Sequence, residues 1–156
     1  MRYYITLIVL MIASLSIAQD EISLNISISA DMVYMDNAFR VQYTVKNGSA
    51  NGFQNPDLKD FQLLQGPSRS SQMSYINGAK SSEESFTYYF KPTKEGKFKI
   101  APFVLEINGT TYTSNSPEVL VVPNPTGLHQ DPNTGQVEGG PPNPKKKPSK
   151  RKRFKI

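Results

Sequence analysis

Cysteine and tryptophan are absent from this chain, and histidine occurs once, as His129. Without cysteine there can be no disulfide framework, no thiol nucleophile and no thiolate-bound metal. A lipid-modified N-terminal cysteine is excluded on the same ground. A nucleophilic triad needs a base beside its nucleophile, and the only imidazole lies in a Pro/Gly-rich stretch far from any apolar run. No cofactor is expected. Helical periodicity is also missing beyond the first residues, which leaves the β-period to organise the chain.

Acidic charge is missing from one region only. Between Gln19 and Val122 there are nine Lys/Arg against eleven Asp/Glu, whereas Lys145 to Lys155 holds eight Lys/Arg and no acid. The net charge of +5 therefore belongs to the end of the chain. A nucleic-acid-binding domain carries its basic stripe on the fold, so no nucleic-acid partner is expected.

The N-terminus reads as an export signal. Arg2 supplies the positive region, Ile5 to Ile12 the apolar core, and Ser16-Ile17-Ala18 the small residues of a cleavage site. The apolar stretch is short for a membrane span of about 20 residues. Residues 1–18 are thus expected to be a signal peptide, with Gln19 as the first mature residue. An exported protein of the periplasm or cell envelope is the expected location, with no transmembrane helix in the mature chain.

From there the pattern is that of strands. Ile22, Leu24, Ile26 and Ile28 alternate with Ser and Asn. Phe39, Val41, Tyr43 and Val45 alternate with Arg40, Gln42, Thr44 and Lys46, which are expected to face water. Leu58 to Leu64 is a short apolar stretch ended by Gly66-Pro67. Ser68 to Ile76 reads as a polar strand near an edge. Asn77-Gly78 marks a hairpin, and Ser82 to Lys91 returns with Phe86, Tyr88 and Phe90 on one face. Pro92 to Gly96 forms a turn, and Phe98 and Ile100 lead into Phe103 to Ile107. Asn108-Gly109 marks a second hairpin, and Thr111 to Val122 closes the domain, with Pro117 demoting part of that strand to an edge or bulge.

Seven or eight short antiparallel strands predict an all-β, Ig-like sandwich over residues 19–122, with a small barrel as the structural alternative. The expected core comprises Ile26, Phe39, Val41, Phe61, Phe86, Tyr88, Phe98 and Ile100. After Val122 the composition turns to Pro, Gly, Asn and Thr. Such a segment buries too little apolar surface to offset its chain entropy, so residues 123–144 are expected to be a disordered linker. Residues 145–156 form the basic tail: Lys145, Lys146, Lys147, Lys150, Arg151, Lys152, Arg153 and Lys155. In an exported chain this tail suits an anionic membrane surface, where each cation gains up to about 1 kcal/mol.

Few residues suggest chemistry. Glu83 and Glu84 are adjacent on a strand and point to opposite faces, so they cannot converge as a catalytic pair. Asp57 and Asp60 read as turn acids, with calcium as the one metal their oxygens suit. Asn25, Asn47 and Asn108 open Asn-X-Ser/Thr triplets, relevant only where asparagine is glycosylated. Tyr75, Tyr89 and Tyr112 fall off the predicted core rows. Tyrosine is favoured at interfaces, so these three are the candidate partner-binding residues.

The order of these segments resembles a known family. Phe61 to Pro67 (FQLLQGP), Ser68 to Gly78 (SRSSQMSYING), Tyr88 to Ile100 (YYFKPTKEGKFKI) and Ala101 to Val122 are similar to the N-terminal region of BatD proteins of bacterial aerotolerance operons. The resemblance runs from about Ile22 to Val122. It implies an exported, oxygen-tolerance-linked protein built from Ig-like domains. The implied associates are von Willebrand A-domain membrane proteins and a MoxR-type ATPase, with no catalytic residues to carry over. The turn from Pro92 to Phe98 is also similar to the E–F corner of Ig domains, with Phe98 in place of the corner tyrosine. The function expected is a non-catalytic scaffold of the cell envelope, and the alternative is a carbohydrate- or cell-wall-binding sandwich module.

Overall fold

Alternation becomes pairing in the computed structural model, which describes residues 21–76 and 79–138. The expected signal peptide at 1–18, the Asn77-Gly78 turn and the basic tail at 145–156 lie outside the described residues. Nine strands and no helix make up the described chain. They are β1 (Ser23–Ile28), β2 (Met32–Tyr34), β3 (Phe39–Lys46), β4 (Phe61–Ile76), β5 (Ala79–Pro92), β6 (Gly96–Lys99), β7 (Val104–Ile107), β8 (Thr110–Thr113) and β9 (Glu118–Val122).

One layer is a four-stranded antiparallel sheet in the order β1-β3-β5-β4. The second layer holds β2-β9-β6 and, beside it, the β7-β8 pair. β2 runs parallel to β9, whereas β6 runs antiparallel to it. In this layer β6–β7 and β8–β9 are the two arms of one long hairpin. Its Asn108-Gly109 tip has positive φ at both residues, as the predicted two-residue turn requires. The ladder breaks halfway because Pro102 and Pro117 have no N–H to donate. Across the break Ile100 N donates to Pro117 O at 2.9 Å and Ser114 N to Phe103 O at 3.0 Å. Ser114 Oγ accepts from Phe103 N, and the Ser116 hydroxyl donates to Ile100 O.

The layers meet over two apolar clusters. Ile26, Phe39, Val41, Tyr43, Tyr88 and Phe90 of the first layer pack on Val33, Ile100, Val119 and Val121 of the second. Leu24 and Val45 pack on Leu105 and Ile107. Every residue of the expected core lies in or against these clusters. Phe86 and Phe98, however, are only partly buried and pack at the margin. Two expectations about strands are corrected. Thr44 is buried, not solvent-facing, because it sits opposite Ser85 on two central strands whose longer side chains shelter it. Gly66-Pro67 does not end a strand: β4 continues through it by a bulge, with register shifts between Leu63 and Ser68. Gly66 has φ 131°, and a Cβ there would stand 2.9 Å from Thr87 O, so this crossing needs glycine.

The linker expectation is corrected for residues 123–138, which fold back as a strap over β2. Three amide side chains hold it. Asn124 Oδ1 accepts from Leu128 N at 2.7 Å, and its amide donates to Leu128 O and Met35 O. Asn37, in the turn before β3, accepts from Gln130 N at 2.8 Å and donates to Leu128 O at 2.9 Å. Gln130 is buried, with an amide that donates to Met32 O and Gly135 O at 2.9 Å and accepts from Tyr34 N at 3.2 Å. Gln130 thereby bonds the outer edge of β2 as a neighbouring strand would. The remaining linker residues, 139–144, lie outside the described residues.

One polar group in the core has no such partner. Tyr43 is buried among Phe53, Tyr88 and Phe103, and its hydroxyl bonds nothing. Burial, reinforced by nearby Tyr88, pushes this phenol well above the ordinary tyrosine range. Burial raises Tyr88 as well, whose hydroxyl donates to Asn55 Oδ1 at 2.7 Å. Phenols raised in the folded state contribute stability below their unfolded value of about 10. That contribution is lost as pH rises through the folded values. Tyr43→Phe removes an unpaired buried hydroxyl, so it is expected to raise stability by about 1 kcal/mol and to flatten the alkaline fall. Denaturant titrations at pH 7 and above pH 10 check both, and a loss of stability at pH 7 would mean the hydroxyl has a partner.

Candidate functional site

The first layer is wider than the second, and this mismatch defines the most distinctive surface. In Ig sandwiches the sheets are ABED and CFG. The order β1-β3-β5-β4 matches the first, and the β6–β7 and β8–β9 arms match F and G. The C position beside β6 is taken by residues 47–60, which form no ladder strand. Phe53 and Leu58 still pack inward, and Phe53 stacks on Phe86 at 4.4 Å. Phe61, at the start of β4, still meets Phe98 of β6, but beyond it no described residue of the second layer makes a ring or core contact with β4.

Register shows which side chains are left uncovered. Residues paired across a ladder share a face. Leu63 pairs with Phe90, Arg69 with Phe86, Met73 with Ser82 and Tyr75 with Lys80. All four therefore lie on the core-facing side of the sheet. Leu63, Met73 and Tyr75 are nevertheless 50%, 55% and 67% exposed. Arg69 shields what it can: its guanidinium lies 5.7 Å from the Phe86 ring centre and pairs with Glu84.

The far end of β4 and β5 also projects. β3 stops at Lys46, opposite Glu83, while β4 and β5 stay paired to Ile76 and Ala79. The two strands thus run about 14 Å beyond β3, at roughly 3.4 Å per residue. On this arm Ser74 Oγ and Ser81 Oγ lie 3.1 Å apart, and the Tyr75 hydroxyl donates to Met73 Sδ at 3.2 Å. The arm carries Ser81 and Ser82 on β5 and Ser74 on β4, and among the described side chains Met73 and Tyr75 are its large exposed apolar groups.

The three candidate tyrosines do not form one patch. Tyr75 and Tyr89 sit on opposite faces of the first layer, nine residues apart in register, or about 30 Å. Tyr89 is engaged, its hydroxyl donating to Asn133 of the strap at 2.7 Å. Tyr112 pairs with buried Leu105 and packs on the smaller apolar cluster. Alternation separates inward from outward rows, but the strap that captures Tyr89 leaves no such periodic trace. Leu63 and Met73 were missed because nothing in a single strand's pattern reports the width of the opposite layer.

The acids are similarly dispersed. Asp60 pairs with Lys94 at 2.7 Å, and Asp57 is exposed. Glu84 is tied to Arg69, and Glu83 pairs with Lys46 at 3.4 Å. Among the described residues no group of three or more His, Cys, Asp or Glu is placed to share a metal ion. His129 is exposed on the strap. Asn47 of the second Asn-X-Ser/Thr triplet bonds the backbone of Glu21 and Ser82 through its side chain.

An Ig-like β-sandwich with an uncovered outer strand is the class that this fold and surface define. A family model described as the BatD DUF11-like domain matches residues 26–121. The chain belongs to the BatD family. The match begins within β1 and ends within β9, so it spans both layers and stops short of the strap. No curated protein and no solved structure matches the chain.

Proposed function

We propose that this chain is a non-catalytic, exported scaffold domain of the bacterial cell envelope, linked to oxygen tolerance. In this reading it binds a protein partner on the uncovered inner face of β4. The observation that carries it is the exposure of Leu63, Met73 and Tyr75 on a face that elsewhere forms the core. The proposed partner is a von Willebrand A-domain membrane protein of the Bat system, a reading that rests on the resemblance to BatD proteins. Export rests on residues 1–18, and the non-catalytic assignment on the lack of cysteine and the single histidine. Among the described residues no helix is long and apolar enough to cross a membrane.

The two ends of the domain suit an adaptor. The projecting arm is at one end of β5, and Tyr89, which receives the strap, is near the other. The strap therefore meets β5 near the end opposite the arm. On this reading the basic tail lies on anionic membrane while the arm faces away. One reconstitution tests both parts, using vesicles with and without anionic lipid and the von Willebrand A-domain protein of the same operon. Met73→Glu is expected to weaken partner capture at least tenfold without altering vesicle binding. Truncation after Pro144 is expected to abolish salt-sensitive pelleting on anionic vesicles without altering capture. Undiminished capture by Met73→Glu would overturn the face, and equal pelleting of both lengths would overturn the role of the tail.

A further inference from the structure

The edge of β4 carries an inference beyond its face, though it rests on reading β4 as an interaction strand. An outer strand presents a row of unpaired backbone N–H and C=O groups, which folded proteins normally blunt or cover. Two edges of this domain are covered by side-chain amides that stand in for a strand. Asn115 bonds both backbone groups of Ile26 on β1, accepting at 2.6 Å and donating at 2.8 Å. Gln130 does the same for Met32 and Tyr34 on β2. β4 has no equivalent cover among the described residues.

Its regular part is bounded and unguarded. From Ser68 to Ile76 the ladder to β5 runs without a register shift, from the bulge that ends at Ser68 to the last pair, Ile76 with Ala79. Lysine and proline, the usual edge guards, are absent from this stretch. Its one charge, Arg69, is neutralised within the same sheet by Glu84.

We infer that this edge pairs with the same edge of a second copy of the chain, antiparallel about a two-fold axis. The argument for a second copy is self-complementarity. Full overlap of Ser68–Ile76 with itself centres the pairing on Gln72. Arg69 then faces Tyr75 of the other copy, Ser71 faces Met73, Ser70 faces Ser74, and Ser68 faces Ile76. The cation falls on an aromatic ring at both ends, an attractive pairing, and no like charges meet. Because odd residues oppose odd residues, Met73 and Tyr75 of both copies stay on one face. The two four-stranded sheets become one of eight, and the exposed face of β4 is doubled.

Sedimentation equilibrium of the full exported chain tests this, with two substitutions at exposed Tyr75. The wild type is expected to show a dimer that dissociates on dilution. Tyr75→Lys sets a cation against Arg69 at both ends of the seam, and the dissociation constant should rise about tenfold. Tyr75→Glu sets a carboxylate there, and the dimer should be retained or tightened. A wild type that is monomeric at every concentration overturns the inference. Equal weakening by both substitutions overturns it too, since that places Tyr75 against something other than Arg69. Capture of the von Willebrand A-domain protein is read separately, so a monomer that still captures it leaves the proposed function standing while removing the dimer.

Discussion

Phe39→Ala is expected to destabilise the domain by about 3–5 kcal/mol, the range for truncating a buried phenylalanine. Phe39 is 1% exposed, at the start of β3, in the larger apolar cluster, against which Phe53 and Leu58 of the 47–60 segment also pack. Its ring meets Phe61 edge-on at 5.2 Å and Phe90 at 6.3 Å, and Phe61 in turn meets Phe98 at 5.3 Å. Phe39 therefore links β3, β4, β5 and β6 in one aromatic chain, and the cavity cannot close by moving one neighbour. Phe86→Ala should cost less, because Phe86 is only partly buried and loses mainly its stacking on Phe53. Urea denaturation of both variants checks the order. A larger loss for Phe86 would mean that the wide edge of the sheet is covered in solution.

Gln130→Ala is expected to release the strap while the sandwich persists. Three backbone groups lose their partner at once: Tyr34 N–H, Met32 C=O and Gly135 C=O. Unpaired buried groups cost about 1–3 kcal/mol each when water cannot reach them. Opening the strap relieves that cost, so residues 124–138 should exchange their amide hydrogens much faster than in the wild type. The closed strap is tight elsewhere too, since a Cβ on Gly135 would stand 2.7 Å from Ser29 O. Acid should act in the same direction. Asp131 accepts from Asn133 N at 2.8 Å and from the Thr134 hydroxyl at 2.9 Å, and these bonds, the backbone one foremost, hold its carboxyl below the usual range. A lowered folded pKa contributes stability above the unfolded value of about 3.9 and loses it as pH falls through the folded one. Hydrogen exchange at pH 7 and below pH 3 checks both; slow exchange of the strap in Gln130→Ala would show that apolar contacts hold it instead.

Most of the sandwich was legible because one buried face imposes a period of two. Leu24 and Ile26, the odd residues of β3, Tyr88 and Phe90, and Val119 and Val121 are all buried as their alternation predicts. The Asn108-Gly109 turn was legible for a local reason, the positive φ that these two residues tolerate. Pro117 likewise announced the break in the closing strand. The strap was not legible. Its composition is that of a disordered linker, and its order comes from amide side chains meeting backbone groups more than ninety residues away, as Gln130 does on β2. Hydrogen bonding of that kind needs no apolar period and leaves none.

The sequence by itself determined the two-sided strands, the hairpin tip, the limits of the core and the BatD resemblance, because these depend on neighbours along the chain. Only the tertiary structure decided what β4 is. Whether Leu63, Met73 and Tyr75 are buried depends on how many strands stand opposite them, and a strand's own residues carry no record of that number. The segment at 47–60 lies where another strand would stand and forms no ladder, so the second layer falls short and β4 beyond Phe61 keeps both an open face and an open edge.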